Sequence, residues 1–405
     1  MSLDHIIVIT DTGVVNGGLA YVAVESALGL ARQGHRVTFI SGTEAVDPRL
    51  EEASGLEVVK LGREAFLDRP DRKQAAIDGI HDREVQRRLE ALLQSRPKEG
   101  TVVHLHGWVK VFSPSAISAI EHAGLPWIFT AHDYFGACPN GAFYQYPAQK
   151  ICTLSPLGAR CLTTNCDSRS YPMKLWRSVR SFSQAHILGK ARHLRAIVYP
   201  SDFTRKVLAP HLPKVAAEVP TSPMRIEQRP LAPWSEDGPI VFAGRISPEK
   251  GCHLLAEAGR LLGRSVTLIG DGPALAELQE RYPEHSFLGW QPQSFVWDFL
   301  PTAGCLVFPS VWYETAGLTA LEAMALGCPV IVPNGIATTE YVQDGVTGTI
   351  FERGDAASLA EAIKKTLPRG EELRRTAYSR YWAAPWTVER HCRELIRIYG
   401  QALVD

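Results

Sequence analysis

Short apolar runs of strand length alternate with stretches of helical period from the first residues onward: HIIVIT, then LAYVAVESALGLARQG, then RVTFIS. That order reads β-α-β, with Gly34 where the helix should stop. TVVHLHGW, PWIFTAH and AIVYPS follow as further buried-strand candidates separated by helical stretches. Strands alternating with helices predict a parallel α/β sheet. Between Pro220 and Pro239 five of twenty positions are proline and the period disappears, which predicts a linker over 221–239. Beyond it the alternation restarts with PIVFAGR, VTLIGDG, HSFLGW, CLVFPS and PVIVPNG, and after Pro385 the chain closes on the helical pattern VERHCRELIRIYGQALV. The pattern divides the chain into a first doubly wound domain over 1–220, the linker, a second doubly wound domain over 240–384 and a closing helix over 385–405. The first domain carries an aperiodic insertion over 133–173.

The chain has 405 residues, 45% of them hydrophobic and 21% charged, so two or three domains with sizeable cores are available. Its 43 basic and 43 acidic side chains cancel. Without net charge there is no long-range field for sequence-independent nucleic-acid binding, and no nucleic-acid partner is expected. The longest uncharged stretch, Ala323 to Thr339, is broken by Gly327, Pro329, Pro333 and Gly335, so no membrane-spanning segment is expected. The N-terminus lacks the basic flank and apolar run of a signal peptide, and the expected location is cytoplasmic.

Candidate chemistry collects after the strands, where ligands of open α/β sheets bind. DTGVVNGGLAY follows the first strand, and its Gly17 and Gly18 suit close approach of an anion to a helix N-terminus. The pattern is not G-x-G-x-x-G and no acid follows the second strand, which argues against a dinucleotide and an oxidoreductase. VFAGRISPEKG ends a strand at Gly244 and then delivers Arg245 and Lys250, a fork and a point charge suited to a diphosphate. In CLVFPSVWYETAGLTALEAMALGCPVI, Glu314 and Glu322 bracket a helix start at Ala316, Gly317 and Leu318, whose backbone N–H groups favour negative charge. Two carboxylates flanking a backbone anion site suit the hydroxyls of sugars on either side of a phosphate. Taken singly, each of these residues also fits a solvated loop or helix face.

GRISPEKG followed by ETAGLTALE resembles the donor site of the retaining glycosyltransferases of family 4, and VHLHGW, TAHD, VYPSDFTRKVL, LIGDGP, FLGW and EYVQDGVTG occur in family-like order. The resemblance implies the GT-B fold, with two facing Rossmann-like domains and a C-terminal helix crossing back to the first. It implies transfer from a nucleotide-diphosphate sugar to a saccharide acceptor, free or lipid-linked, with retention of configuration. By the same resemblance, Arg245 and Lys250 neutralise the diphosphate, Glu322 binds the ribose, and Glu314 contacts the donor sugar. Gly317 and Leu318 face the distal phosphate, His132 reaches the donor sugar, and Gly17 and Gly18 lie near phosphate and acceptor. His132 also fits a core histidine at a strand end. Ala316 departs from the family, whose residue there is usually aromatic.

No Asp-x-Asp is present, so cationic side chains are expected to replace a catalytic metal, with no cofactor required. A GT-B-like sugar-nucleotide epimerase or phosphorylase, or a non-catalytic sugar-nucleotide-binding module, are the competing readings. Cys138, Cys152, Cys161 and Cys166, half of the eight cysteines, fall in the insertion and suit a shared structural zinc, two bridges or independent thiols. Residues 174–206 hold eight cations against Asp202 alone, with Trp176 and Phe182 interleaved. That stretch suits contact with an anionic membrane or acceptor, or a solvated helix face.

Overall fold

The computed structural model describes residues 2–404. Among these, its first unit comprises residues 2–143, 153–223 and 386–404, and its second comprises 144–152 and 224–385. In the first unit, seven strands, β1 (His5–Thr10), β2 (Arg36–Ser41), β3 (Leu56–Lys60), β4 (Thr101–Leu105), β5 (Trp127–Thr130), β6 (Leu194–Val198) and β7 (Ala216–Glu218), form a parallel sheet in the order β3-β2-β1-β4-β5-β6-β7. β1 is buried along its whole length, as a parallel strand covered on both faces must be, which is why HIIVIT reads as a continuous run and not as an alternation.

The closing helix Val388–Val404 belongs to this first unit. Val388, Cys392, Leu395, Tyr399 and Ala402 recur at helical spacing and enter the same core as Ile6, Val8, Val24 and Leu28. A Cβ at Gly29, on helix Gly18–Arg32, would lie 2.6 Å from both Cys392 Sγ and Val388 Cγ1, so glycine sets how closely the two helices cross. Each large apolar side chain buried this way contributes about 1.5–3 kcal/mol. His391 adds polar anchors, its Nε2 meeting Ser26 Oγ at 2.8 Å and its Nδ1 the Thr221 carbonyl.

The second unit repeats the plan with β8 (Ile240–Ala243), β9 (Val266–Ile269), β10 (Ser286–Phe287), β11 (Cys305–Val307), β12 (Val330–Pro333) and β13 (Thr349–Phe351), parallel in the order β10-β9-β8-β11-β12-β13. Two segments differ from the sequence-based division. The proline-rich segment expected as a linker over 221–239 is largely a strap on the second unit. Met224 and Ile226 are buried, Arg374 donates to the Ala232 carbonyl at 3.0 Å, and Trp234 Nε1 donates to the Gly304 carbonyl at 3.1 Å. Part of the 133–173 insertion leaves the first unit as well: the antiparallel hairpin of Tyr144–Gln145 and Lys150–Ile151 lies in the second. No helix of the described residues is long and apolar enough to cross a membrane.

Candidate active site

In the second unit the loops after β8 and β11 are bound to one another through backbone. Val311 N–H donates to the Glu249 carbonyl at 3.0 Å, and Gly251, at φ +69°, lies so close to the Pro309 carbonyl that a Cβ would stand 2.0 Å from it. That contact delivers Lys250 to Glu314. The ammonium donates to Glu314 Oε1 at 2.6 Å and stands 5.3 Å from the centre of the Trp312 ring. Ser310 Oγ and Trp312 Nε1 also donate to Oε1, each at 2.7 Å. Three donors therefore converge on one carboxylate oxygen, and Oε2 takes none of these bonds. Burial pushes the Glu314 carboxyl up, but the charge and hydrogen bond of Lys250, with those of Ser310 and Trp312, hold it below the ordinary range. A depressed carboxyl contributes stability above its unfolded value and loses it as pH falls through the folded one, so the pair stays intact through mildly acidic pH.

Arg245 follows Gly244 at the end of β8 and is exposed, and among the described residues it makes no hydrogen bond or ion pair. The sequence placed Arg245 and Lys250 together as phosphate-binding cations. Here one is held by an acid and the other is available.

Gly317 precedes helix Leu318–Ala325 at φ +74°, a left-handed conformation that glycine adopts without strain. A Cβ there would also meet Thr338 Cγ2 at 2.4 Å. The loop at Ala316 is tied by a residue that the sequence did not reveal: Tyr341, whose hydroxyl donates to the Ala316 carbonyl at 3.0 Å and lies 2.8 Å from that of Gly317. Four residues into the helix, buried Glu322 accepts from Gln293 Nε2 at 2.8 Å. Burial pushes its carboxyl up, opposed by hydrogen bonding and the charge of Arg225. Gln293 and Arg225 carried no motif, because they come from helix Gln293–Phe299 and from the proline-rich strap.

In the first unit, helix Gly18–Arg32 begins at the expected glycine loop. A Cβ on Gly17 would meet nothing within 4 Å, so the fold does not demand glycine there. Gly13 is different, since a Cβ on it would stand 2.6 Å from Val46 Cγ1. His132 lies just past β5, its Nε2 2.9 Å from His106 Nδ1. Burial, then the charge of His391, pushes its pKa down to about 3. Beside it, burial pushes Asp133 up to about 6. His106, Trp108, His132 and Asp133 line one recess. Asp11 braces the neighbouring loop, its carboxylate accepting from the backbone N–H groups of Lys110, Val111 and Phe112 at 2.9–3.1 Å. Asp11 lies at the end of β1, and its partners stand about a hundred residues further on, beyond any local signal.

All eight cysteines are buried thiols. The four expected as a shared zinc set are not brought together as one. Cys152 falls in the second unit, and among the described residues no group of three or more His, Cys, Asp or Glu side chains is placed to hold a metal ion. Instead the fully buried Lys174 ammonium donates to Cys161 Sγ at 3.2 Å. Burial works against that charge, but the bond to Cys161 and the nearby Cys166 and Cys138 outweigh it.

The cations in 174–206 do not form one free surface patch. Lys174 and Arg180 are buried, Arg177 pairs with Asp167 at 3.0 Å, and Arg205 and Lys206 pair with Asp202 at 2.5 and 2.8 Å. Helix Tyr171–Leu188 turns its polar side inward. Arg180 donates to the Val109 carbonyl at 3.1 Å, and Gln184 joins Trp108 Nε1 to the Phe135 carbonyl, both at 2.8 Å. Outward it presents Tyr171, Leu175, Val179 and Phe182, which are 36–52% exposed.

Two Rossmann-like units, the second carrying paired acids and cations around a helix start, define the GT-B class of glycosyltransferase. The family models agree on both halves: "Glycosyltransferase Family 4" matches residues 16–219 and "Glycosyl transferases group 1" matches 225–381. The chain belongs to glycosyltransferase family 4. It is 29% identical over 184 residues to a GDP-mannose-dependent alpha-mannosyltransferase of Corynebacterium glutamicum, covering 42% of each chain. It is 32% identical over 147 residues to the capsular polysaccharide biosynthesis glycosyltransferase CapM of Staphylococcus aureus, covering 34% of this chain and 38% of that one. The matched stretches thus span less than half the length of these curated relatives. Among solved structures, Anabaena Alr3699/HepE in complex with UDP and glucose matches with a TM-score of 0.64 at 16% identity, over 98% of this chain and 99% of that one.

Proposed function

We propose that this chain is a metal-independent, retaining glycosyltransferase moving a sugar from a nucleotide-diphosphate sugar to a saccharide acceptor in glycan or polysaccharide biosynthesis. The observation that carries this reading is the Lys250–Glu314 pair ahead of helix Leu318–Ala325, with Glu322 on that helix and unpaired Arg245 nearby in sequence. An ammonium has three N–H donors. One is used on Glu314, and two remain for phosphate oxygens. Glu314 Oε2 is then the acceptor for a donor-sugar hydroxyl, and Glu322 suits the ribose.

In the reaction the bond between the anomeric carbon and the phosphate oxygen breaks, and the acceptor oxygen bonds to that carbon from the same face. The acceptor proton passes to the departing phosphate. Charge develops positively on the sugar and negatively on the diphosphate. Arg245, Lys250 and the backbone N–H groups at the helix start stabilise the negative side, and fixed donors do so without reorganisation at the moment of reaction. His132 is the residue proposed to contact the donor sugar. The relatives' names, which include mannosyl transfer and capsular polysaccharide biosynthesis, support the substrate class. Incubation with nucleotide sugars and saccharide acceptors in excess EDTA should give a glycoside with the donor's anomeric configuration. Loss of turnover in EDTA, restored by a divalent ion, would contradict the leaving-group assignment. Product from donor alone would favour the epimerase.

Peripheral contact with an anionic membrane through the 174–206 stretch belongs to this reading, with an apolar stripe as well as cations at its surface. Helix Tyr171–Leu188 contains no acid, exposes an apolar stripe, and is flanked by exposed Arg169, Lys190 and Arg192. An apolar stripe between cationic ends suits the interface of anionic lipid. Phe182→Asp should weaken sedimentation with phosphatidylglycerol vesicles several-fold relative to wild type. Equal binding of the wild type to neutral and anionic vesicles, insensitive to salt, would contradict the contact.

A further inference from the structure

β4 and β5 are parallel neighbours, so the residues just past their ends, His106 and His132, stand side by side. His106 Nδ1 faces His132 Nε2 at 2.9 Å, with ring centres 5.2 Å apart and planes within 24°. Behind them, the His104 ring centre lies 4.0 Å from that of His106. His104 is already committed on both nitrogens, Nδ1 to the Tyr399 hydroxyl and Nε2 to Thr130 Oγ1, each at 2.7 Å. His106 is 1% exposed, and its Nε2 is buried without a hydrogen-bond partner.

These facts decide where the protons sit. Two ring nitrogens 2.9 Å apart share a single proton, donated by one and accepted by the other. If His106 carried its proton on Nε2, a buried N–H would be left without an acceptor. If it carries the proton on Nδ1, only a lone pair is left unused, and orphaned donors are the rarer defect in proteins. Burial favours the neutral form of both rings, pushing His106 well below its ordinary pKa and His132 likewise.

We propose that His106 is a positioning residue whose Nδ1–H holds His132 Nε2, fixing His132 as the neutral Nδ1–H tautomer. Its ring then has one donor, Nδ1–H, and serves the reaction by orienting and hydrogen bonding, not by carrying a proton. This rests on the reading above that His132 serves the donor sugar. His132 thereby presents a fixed dipole, supported from behind by the Tyr399 hydroxyl of the closing helix, which holds the His104 ring beside His106.

The test joins a spectroscopic readout to a kinetic one. Long-range ¹H–¹⁵N spectra of the histidine-labelled full chain should show His132 Nε2 in the unprotonated range in the wild type. The same should hold in His106→Asn, whose amide N–H reaches the Nδ1 position. In His106→Leu the two tautomers of His132 should mix and kcat should fall about 10- to 100-fold with donor KM little changed, while His106→Asn recovers most of it. A protonated His132 Nε2 in the wild type overturns the proposal even if the leucine variant fails to fold, as does an unchanged His132 tautomer in His106→Leu. A shifted tautomer with unchanged turnover leaves the hydrogen bond standing and removes His132 from the reaction, which is the failure of the functional reading alone.

Discussion

Glu314→Gln should lower turnover by about 10²- to 10³-fold while nucleoside diphosphate binding persists. The carboxylate collects Lys250, Ser310 and Trp312 on one oxygen and leaves the other outside those bonds, as the acceptor proposed for a donor-sugar hydroxyl. Glutamine keeps an acceptor for Ser310 and Trp312 but removes the charge that orients Lys250. Glu314→Ala should do the same to turnover and lower Tm further, because it leaves an ammonium that is 24% exposed with no anion beside it. That partial exposure keeps the stability loss below the roughly 3–5 kcal/mol of a fully buried broken pair. Steady-state kinetics with calorimetric titration of UDP and GDP separates the two effects. Unchanged turnover in Glu314→Gln would remove Glu314 from the reaction.

Arg245→Ala should be the complementary case, with a loss of function and no loss of stability. Arg245 is exposed at the end of β8 and holds nothing in the fold, so stability should stay within about 0.5 kcal/mol of wild type. Turnover should fall by about 10²- to 10³-fold, since a forked cation is removed from the departing diphosphate. Affinity should weaken more for nucleoside diphosphates than for monophosphates, because the contact proposed for Arg245 is to the diphosphate. Equal weakening of both would place Arg245 elsewhere on the nucleotide.

Much of this architecture was legible because it is written in local period. HIIVIT, RVTFIS, PIVFAG and PVIVP are short buried runs between helical stretches, and each became a parallel strand. The closing helix was legible from the spacing of Val388, Cys392, Leu395 and Tyr399. Other parts lacked such a signal. Helix Tyr171–Leu188 inverts the usual rule: Lys174, Ser178, Arg180, Ser181 and Gln184 are buried, and its apolar side faces out. Counting its cations suggested a charged surface, whereas Arg180 and Gln184 turn inward and donate to loop carbonyls. Tyr341 ties the Ala316 carbonyl from a position 25 residues away, and such a contact has no sequence spacing to betray it. The His106–His132 contact depends on strand order, which places residues 26 positions apart next to each other.

The central claim is that the second unit holds a nucleoside diphosphate between cations and a helix start. Thermal unfolding of the wild type and Arg245→Ala across UDP, GDP, ADP and their sugars tests it most directly. A ligand bound only by the folded state at a hundred times its Kd adds about 2.7 kcal/mol of stability. The account predicts a clear rise in Tm with at least one base, retained without added metal and reduced in Arg245→Ala. If no nucleoside diphosphate or nucleotide sugar raises Tm, or if the rise is the same in wild type and Arg245→Ala, the assignment of the donor site is contradicted.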